Sequence, residues 1–150
     1  MKKKRLILWI AVILTLAFIF GQSLIDQEAS VKESSVVQEK IVQPVHEAVT
    51  GKETLSYNIR DIAHITEFLV LGLELLLLLR DRKIPIRLLR AVSYCGCVAL
   101  IDESIQYFSG RAPQVVDIWY DITGSVVGVF IALLIVLIVE RLNRHKEQEG

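Results

Sequence analysis

The sequence predicts an all-α polytopic membrane protein, a four-transmembrane-helix bundle with an external amphipathic loop segment. Three observations predict it. Apolar residues make up 53% of the 150 residues and the mean hydropathy is +0.48, high for a soluble domain. They are gathered into runs: Leu6 to Phe20 and Ile122 to Val139 hold no charge, Phe68 to Leu79 is broken only by Gly72 and Glu74, and Leu88 to Ile101 carries one charge, Arg90. The basic residues cluster beside alternate ends of these runs. A spanning helix needs about 20 mostly apolar residues. Extending each run to its polar borders gives spans near 6–25, 61–79, 88–108 and 118–139 in a single domain covering 1–150.

Lys2 to Arg5 ahead of the first run is also how a signal peptide begins, but the run is long and no small-residue cleavage site follows, so a retained anchor is expected. In the loop 26–58, Val31, Val37, Ile41, Val42, Val45 and Val49 recur at roughly helical spacing among Lys32, Glu33, Glu39, Lys40 and Glu47. That pattern predicts an amphipathic piece on the outer membrane surface or over the bundle, interrupted or bent at Pro44, with a partly ordered linker as the alternative. The second span keeps Asp61, His64, Glu67 and Glu74 within about 140° of its circumference. Arg80 to Pro85 reads as a short basic turn, stopped by proline.

On the third span Asp102, Glu103 and Gln106 fall within about 100°. Cys95 and Cys97 point about 200° apart and cannot pair with each other, so both are expected to be packing residues. The fourth span has no polar stripe over Ile122 to Val139, which excludes a soluble bundle. Its Gly124-Ser125-Val126-Val127-Gly128 segment allows close backbone approach. Asn143 to Gly150 is expected to be a solvated tail.

Twelve of the seventeen Lys and Arg lie in the N-terminal tail, the 80–90 loop and the C-terminal tail, which predicts that both termini are cytoplasmic. Arg60, Asp61, His64 and Glu67 then share the outer interface with Asp102, Glu103, Gln106, Arg111, Asp117 and Asp121. Six acids meet two arginines and one histidine there. A carboxylate in hydrocarbon costs roughly 2.5–3.5 kcal/mol unless paired, protonated or wetted. Some acids therefore carry protons, or water enters, or a cation binds. The structural alternative is that Asp61 and Asp117 cap helices, Arg111 and Asp117 form a surface pair, and His64 is a satisfied interior histidine.

Arg60-Asp61-Ile62-Ala63-His64, Glu67-Phe68 and Leu71-Gly72 resemble the first signature of VanZ-like membrane proteins. Asp102-Glu103, Gln106, Phe108 and Arg111, continuing to Asp117, Asp121, Gly124 and Gly128, resemble the second. The resemblance covers about 6–140 and departs at Asp61, where the family often has a basic residue, and at Ile105, where a histidine commonly precedes the glutamine. It implies a multi-pass protein of the bacterial plasma membrane, in a setting of tolerance to teicoplanin-type glycopeptides or of cell-envelope homeostasis.

Three functions compete. The first is an outer-leaflet site that binds or modifies an anionic headgroup, such as that of a lipid-linked cell-wall precursor. Arg60, Gln106, Arg111, Asp117 and Asp121 would hold the ligand, and His64, Glu67, Asp102 and Glu103 would serve as proton carriers or clamps. The second is a metal-assisted hydrolase or transferase built on His64 and acids from three helices, although no compact ligand motif names the metal. The third is a non-enzymatic scaffold for envelope enzymes. No nucleophile motif, phosphate-cradling glycine loop or nucleic-acid surface is present in the sequence, and no cofactor is identified.

Overall fold

The structure, a computed structural model, describes residues 2–25, 35–45, 59–79, 83–110 and 114–148. Among these there are four long helices and no strand: α1 (Lys2–Ser23), α2 (Ile59–Leu78), α3 (Ile84–Phe108) and α4 (Val115–Gln148). A short helical piece covers 35–45, with π-type turns over Gln38–Val42, so Pro44 sits within a helical piece. Val36, Val37 and Val45 are exposed on it. The rest of the expected amphipathic segment lies outside the described residues, as do Arg111 and residues 80–82 of the basic turn.

Local chemistry sets the helix ends. Pro85 stands in the first turn of α3, where its missing N–H costs nothing, so it starts the helix. The span expected at 88–108 consequently begins four residues earlier. At the other end of α3 Ser109 is the C-cap and Gly110 follows with φ 80°, a left-handed conformation that glycine adopts without a Cβ penalty. Arg87 reaches back from α3 to the end of α2, its Nε donating to the Leu76 carbonyl at 2.8 Å. This satisfies one of the carbonyls a helix C-terminus leaves open. The expected tail at 143–150 is helical as far as Gln148, with Glu140 and Arg144 paired one turn apart on its surface.

α2 is the central helix. It packs most extensively against α4 and also touches α1 and α3. The α2–α4 seam is built on glycines. A Cβ at Gly128 would overlap the Leu69 carbonyl and stand 3.0 Å from the Leu73 nitrogen, and one at Gly124 would overlap the Ile65 carbonyl. Gly72 of α2 meets the Ser125 backbone in the same way. The G-x-x-x-G reading is thus realised as backbone-on-backbone contact. The apolar core continues from this seam through Phe68, Leu71, Leu75, Leu76, Val129 and Ala132 to Ala91, Cys95 and Ala99 of α3 and Val12 and Ile19 of α1. Cys95 is buried there and Cys97 is exposed on the opposite side, as their spacing requires.

Among the described residues three helices are long and apolar enough to cross a membrane: Lys3–Ser23, Ile84–Phe108 and Val115–His145. α2 does not join them. It carries Arg60, Asp61, Glu67 and Glu74 in 20 residues, too many charges for an independent apolar span. Three of the four expected spans therefore stand on length and composition.

Candidate functional site

Each helix turns one stripe inward, and each stripe changes from apolar to polar toward the same end of the bundle. On α3 the buried positions are Ala91, Cys95, Ala99, Asp102 and Gln106, a run of i+3 and i+4 steps that ends in two polar groups. On α4 the stripe opens with Asp117 and Asp121 before Gly124, Ser125 and Gly128. On α2 His64 precedes Phe68 and Leu71, and on α1 the stripe through Val12 and Ile19 ends at Ser23. The C-terminal ends of α1 and α3 thus meet the N-terminal ends of α2 and α4, as an up-down connection requires.

At this junction a hydrogen-bonded network joins all four helices. Ser23 Oγ donates to Asp102 Oδ1. The other oxygen, Asp102 Oδ2, accepts from Gln106 Nε2 at 2.7 Å. Gln106 Oε1 accepts from Arg60 at 2.8 Å, and the same guanidinium nitrogen is 2.9 Å from Asp117 Oδ2. Asp117 Oδ2 lies 4.0 Å from His64 Nε2, and His64 Nδ1 is 2.9 Å from Asp121 Oδ1. Asp102, Gln106 and Asp121 are each 1% exposed, whereas the Arg60 side chain is 23% exposed and forms the rim. Polar groups with so little water must find one another, which explains why the chain supplies reciprocal donors and acceptors.

Of the residues singled out in the sequence, the fold brings together Arg60, His64, Asp102, Gln106, Asp117 and Asp121. Glu103 turns away: its Oε1 accepts the Gln114 backbone N–H and holds the start of α4 against α3. Glu67 faces α1, where it lines a cavity of about 340 Å³ with Leu14, Thr15, Phe18, Thr66 and Val70. Glu74 lies beneath, with a buried Oε2 that makes no hydrogen bond. Arg111 follows Gly110 but lies outside the described residues.

Sequence reasoning missed Ser23. Its hydroxyl donates to Asp102 and also lies 3.0 Å from the Ile19 carbonyl, and its own carbonyl accepts from Ser109 Oγ at 2.7 Å. The signal was its place four residues after Ile19 and eleven after Val12, on one face of a helix otherwise lined with apolar residues.

His64, Asp102 and Asp121 each offer a ligating atom, and these atoms lie within 4.8 Å of one another. Imidazole and carboxylate oxygens in such a group can exchange protons, hold a cation or anchor helices to one another.

The described residues are all-α, with three helices long and apolar enough to cross a membrane and a buried polar junction linking the four long helices, which is the make-up of a multi-pass membrane protein. A family model described as VanZ/LLP1 matches residues 6–137, most of the chain, and the protein belongs to that family. No curated protein and no solved structure matches it.

Proposed function

We propose that the protein is a four-span membrane bundle, a single domain with both termini cytoplasmic, in the bacterial plasma membrane. Its polar junction lies just beneath the outer headgroups. There it holds the anionic headgroup of an envelope lipid, such as a lipid-linked cell-wall precursor, in the setting of glycopeptide tolerance that the family suggests. The observation that carries this reading is Arg60. Its guanidinium stands at the rim of the junction, fixed by Asp117 and Gln106 above the buried pair His64 and Asp121. An arginine oriented in this way is prepared to bind phosphate or carboxylate at low entropic cost. Arg111, from the loop between α3 and α4, supplies the second cation.

α2 crosses the bilayer in this reading because its charged side faces the other helices and not lipid. Intramembrane ionisable groups that face a bundle interior mark ligand and ion sites more often than inert packing. The test is substitution of the proposed second cation and of a buried carboxylate of the network. Arg111→Lys and Asp102→Asn should each abolish glycopeptide tolerance in cells that depend on this protein, at unchanged membrane abundance. Full tolerance in both variants would remove the reading.

A further inference from the structure

The junction sets one imidazole among carboxylates from two other helices. His64 is 7% exposed, with its Nδ1 2.9 Å from Asp121 Oδ1 and its Nε2 4.0 Å from Asp117 Oδ2. Beside this imidazole, Asp102 from α3 and Asp121 from α4 present carboxylate oxygens, and the three ligating atoms lie within 4.8 Å of one another. An ion with bonds of about 2.1 Å holds its ligands roughly 3.0–4.2 Å apart, so a small side-chain adjustment closes the group around one.

Charge favours the same occupant. When ionised, Asp102, Asp117 and Asp121 set three negative charges against the one positive charge of Arg60, counted among the described residues of the junction. Buried charge without compensation is costly, and a divalent cation offsets it. The surroundings are those of an oriented ligand set: Ser23 and Gln106 each donate to one oxygen of Asp102, fixing that carboxylate as outer-shell partners do at metal centres.

We propose that His64, Asp102 and Asp121 bind one divalent first-row transition-metal ion at the junction of α2, α3 and α4. A neutral imidazole beside carboxylates favours such an ion over calcium or magnesium, and the absence of thiolate from the set favours a harder ion such as manganese. Asp117 stays with Arg60 and orients the group from outside it. The inference rests on this cluster alone and holds whether or not the site takes a lipid headgroup.

The test uses the full chain in lipid nanodiscs with Mn²⁺ as the probe. Free Mn²⁺ is followed by electron paramagnetic resonance, and the bound ion by its coupling to ¹⁴N. The expected result is one bound Mn²⁺ per chain with imidazole nitrogen coupling. That coupling should persist when the other histidines are replaced, His46→Gln with His145→Gln. Affinity should fall at least tenfold in Asp121→Asn and in His64→Gln, and remain unchanged in Glu140→Gln. No stoichiometric binding at millimolar Mn²⁺ would overturn the proposal. So would bound Mn²⁺ without nitrogen coupling in the His46→Gln, His145→Gln protein. That readout leaves the site intact, so it decides the matter even where a site variant fails to fold.

Discussion

Replacing Gly128 by alanine tests the α2–α4 seam, because the same substitution at Gly96 provides an internal control. In a helix interior alanine is favoured over glycine by about 1 kcal/mol, and that gain applies at both positions. The surroundings differ. Nothing lies within 4 Å of a Cβ built at Gly96. At Gly128 the added carbon would overlap the Leu69 carbonyl oxygen and sit 2.8 Å from its carbon, against 3.4–4 Å for ordinary contact. The obstacle is backbone, so no rotamer change relieves it. The helices must separate by about 1 Å, a gap that forfeits roughly a quarter to a half of the dispersion energy between the facing atoms. Overpacking of this kind costs typically 1–3 kcal/mol. Taking the upper part of that range against the propensity gain, Gly128→Ala should lose about 2 kcal/mol while Gly96→Ala gains up to about 1. The two variants should therefore differ by roughly 3 kcal/mol, about a hundredfold or more in the folding equilibrium. Reversible unfolding in mixed micelles, followed by helix content, measures the difference. Equal stability of the two variants would refute the backbone-contact account of the seam.

Three further substitutions test the polar junction and the opposite end of the bundle. Arg60→Ala removes the partner of buried Asp117 and one partner of Gln106, and should destabilise by about 2–3 kcal/mol in the same unfolding assay, discounted from the fully buried case because the arginine is part-exposed. Ser23→Ala takes one donor from Asp102 and should cost about 1–2 kcal/mol, whereas Ser104→Ala, an exposed hydroxyl bonded only to the Leu100 carbonyl, should be near neutral. Arg87→Ala uncovers the Leu76 carbonyl and should cost about 1–2 kcal/mol, with amide exchange accelerated at the last turn of α2 before any change at His64.

The polar junction was legible because helical periodicity places residues four apart on one face. Asp117 and Asp121, and Asp102 and Gln106, are such pairs, and each pair is buried as its spacing demands. The same periodicity does not resolve neighbours on the edge of a face. Glu103 is one residue from Asp102, and that 100° step carries it out of the network to the Gln114 amide. Glu67, next to the interior stripe of α2, is likewise turned toward α1. Ser23 was illegible for a different reason. A lone serine at the end of an apolar run looks like the border of a span, and only the approach of α3 makes it a partner for Asp102. The extent of α4 escaped because hydropathy marks where a helix meets lipid, and Arg141, Arg144 and Lys146 are good helix formers in water.

α2, the expected span that does not qualify by length and composition, illustrates why hydropathy and architecture part company here. A hydropathy window averages over the whole circumference of a helix, whereas lipid solvates only the part that other helices leave uncovered. α1 and α4 are exposed to their surroundings along much of their length, through Leu6, Ile13, Leu14, Leu134 and Ile138 among others, so their composition must be apolar nearly all round. α2 is flanked by all three other helices, and His64, Phe68, Leu71, Leu75 and Leu76 are buried along it. Its ionisable groups fall mainly in its first half, at the end where Asp117, Asp121 and Asp102 await them. A central helix can therefore carry charges that would keep a peripheral one out of the bilayer, provided that its partners are already in place. On the four-span reading α2 inserts stably only with α4, and the glycine seam and the polar junction become two halves of one requirement. Close backbone approach along Gly124 and Gly128 brings His64 within hydrogen-bonding reach of Asp121, and that pairing in turn lowers the cost of holding α2 in lipid.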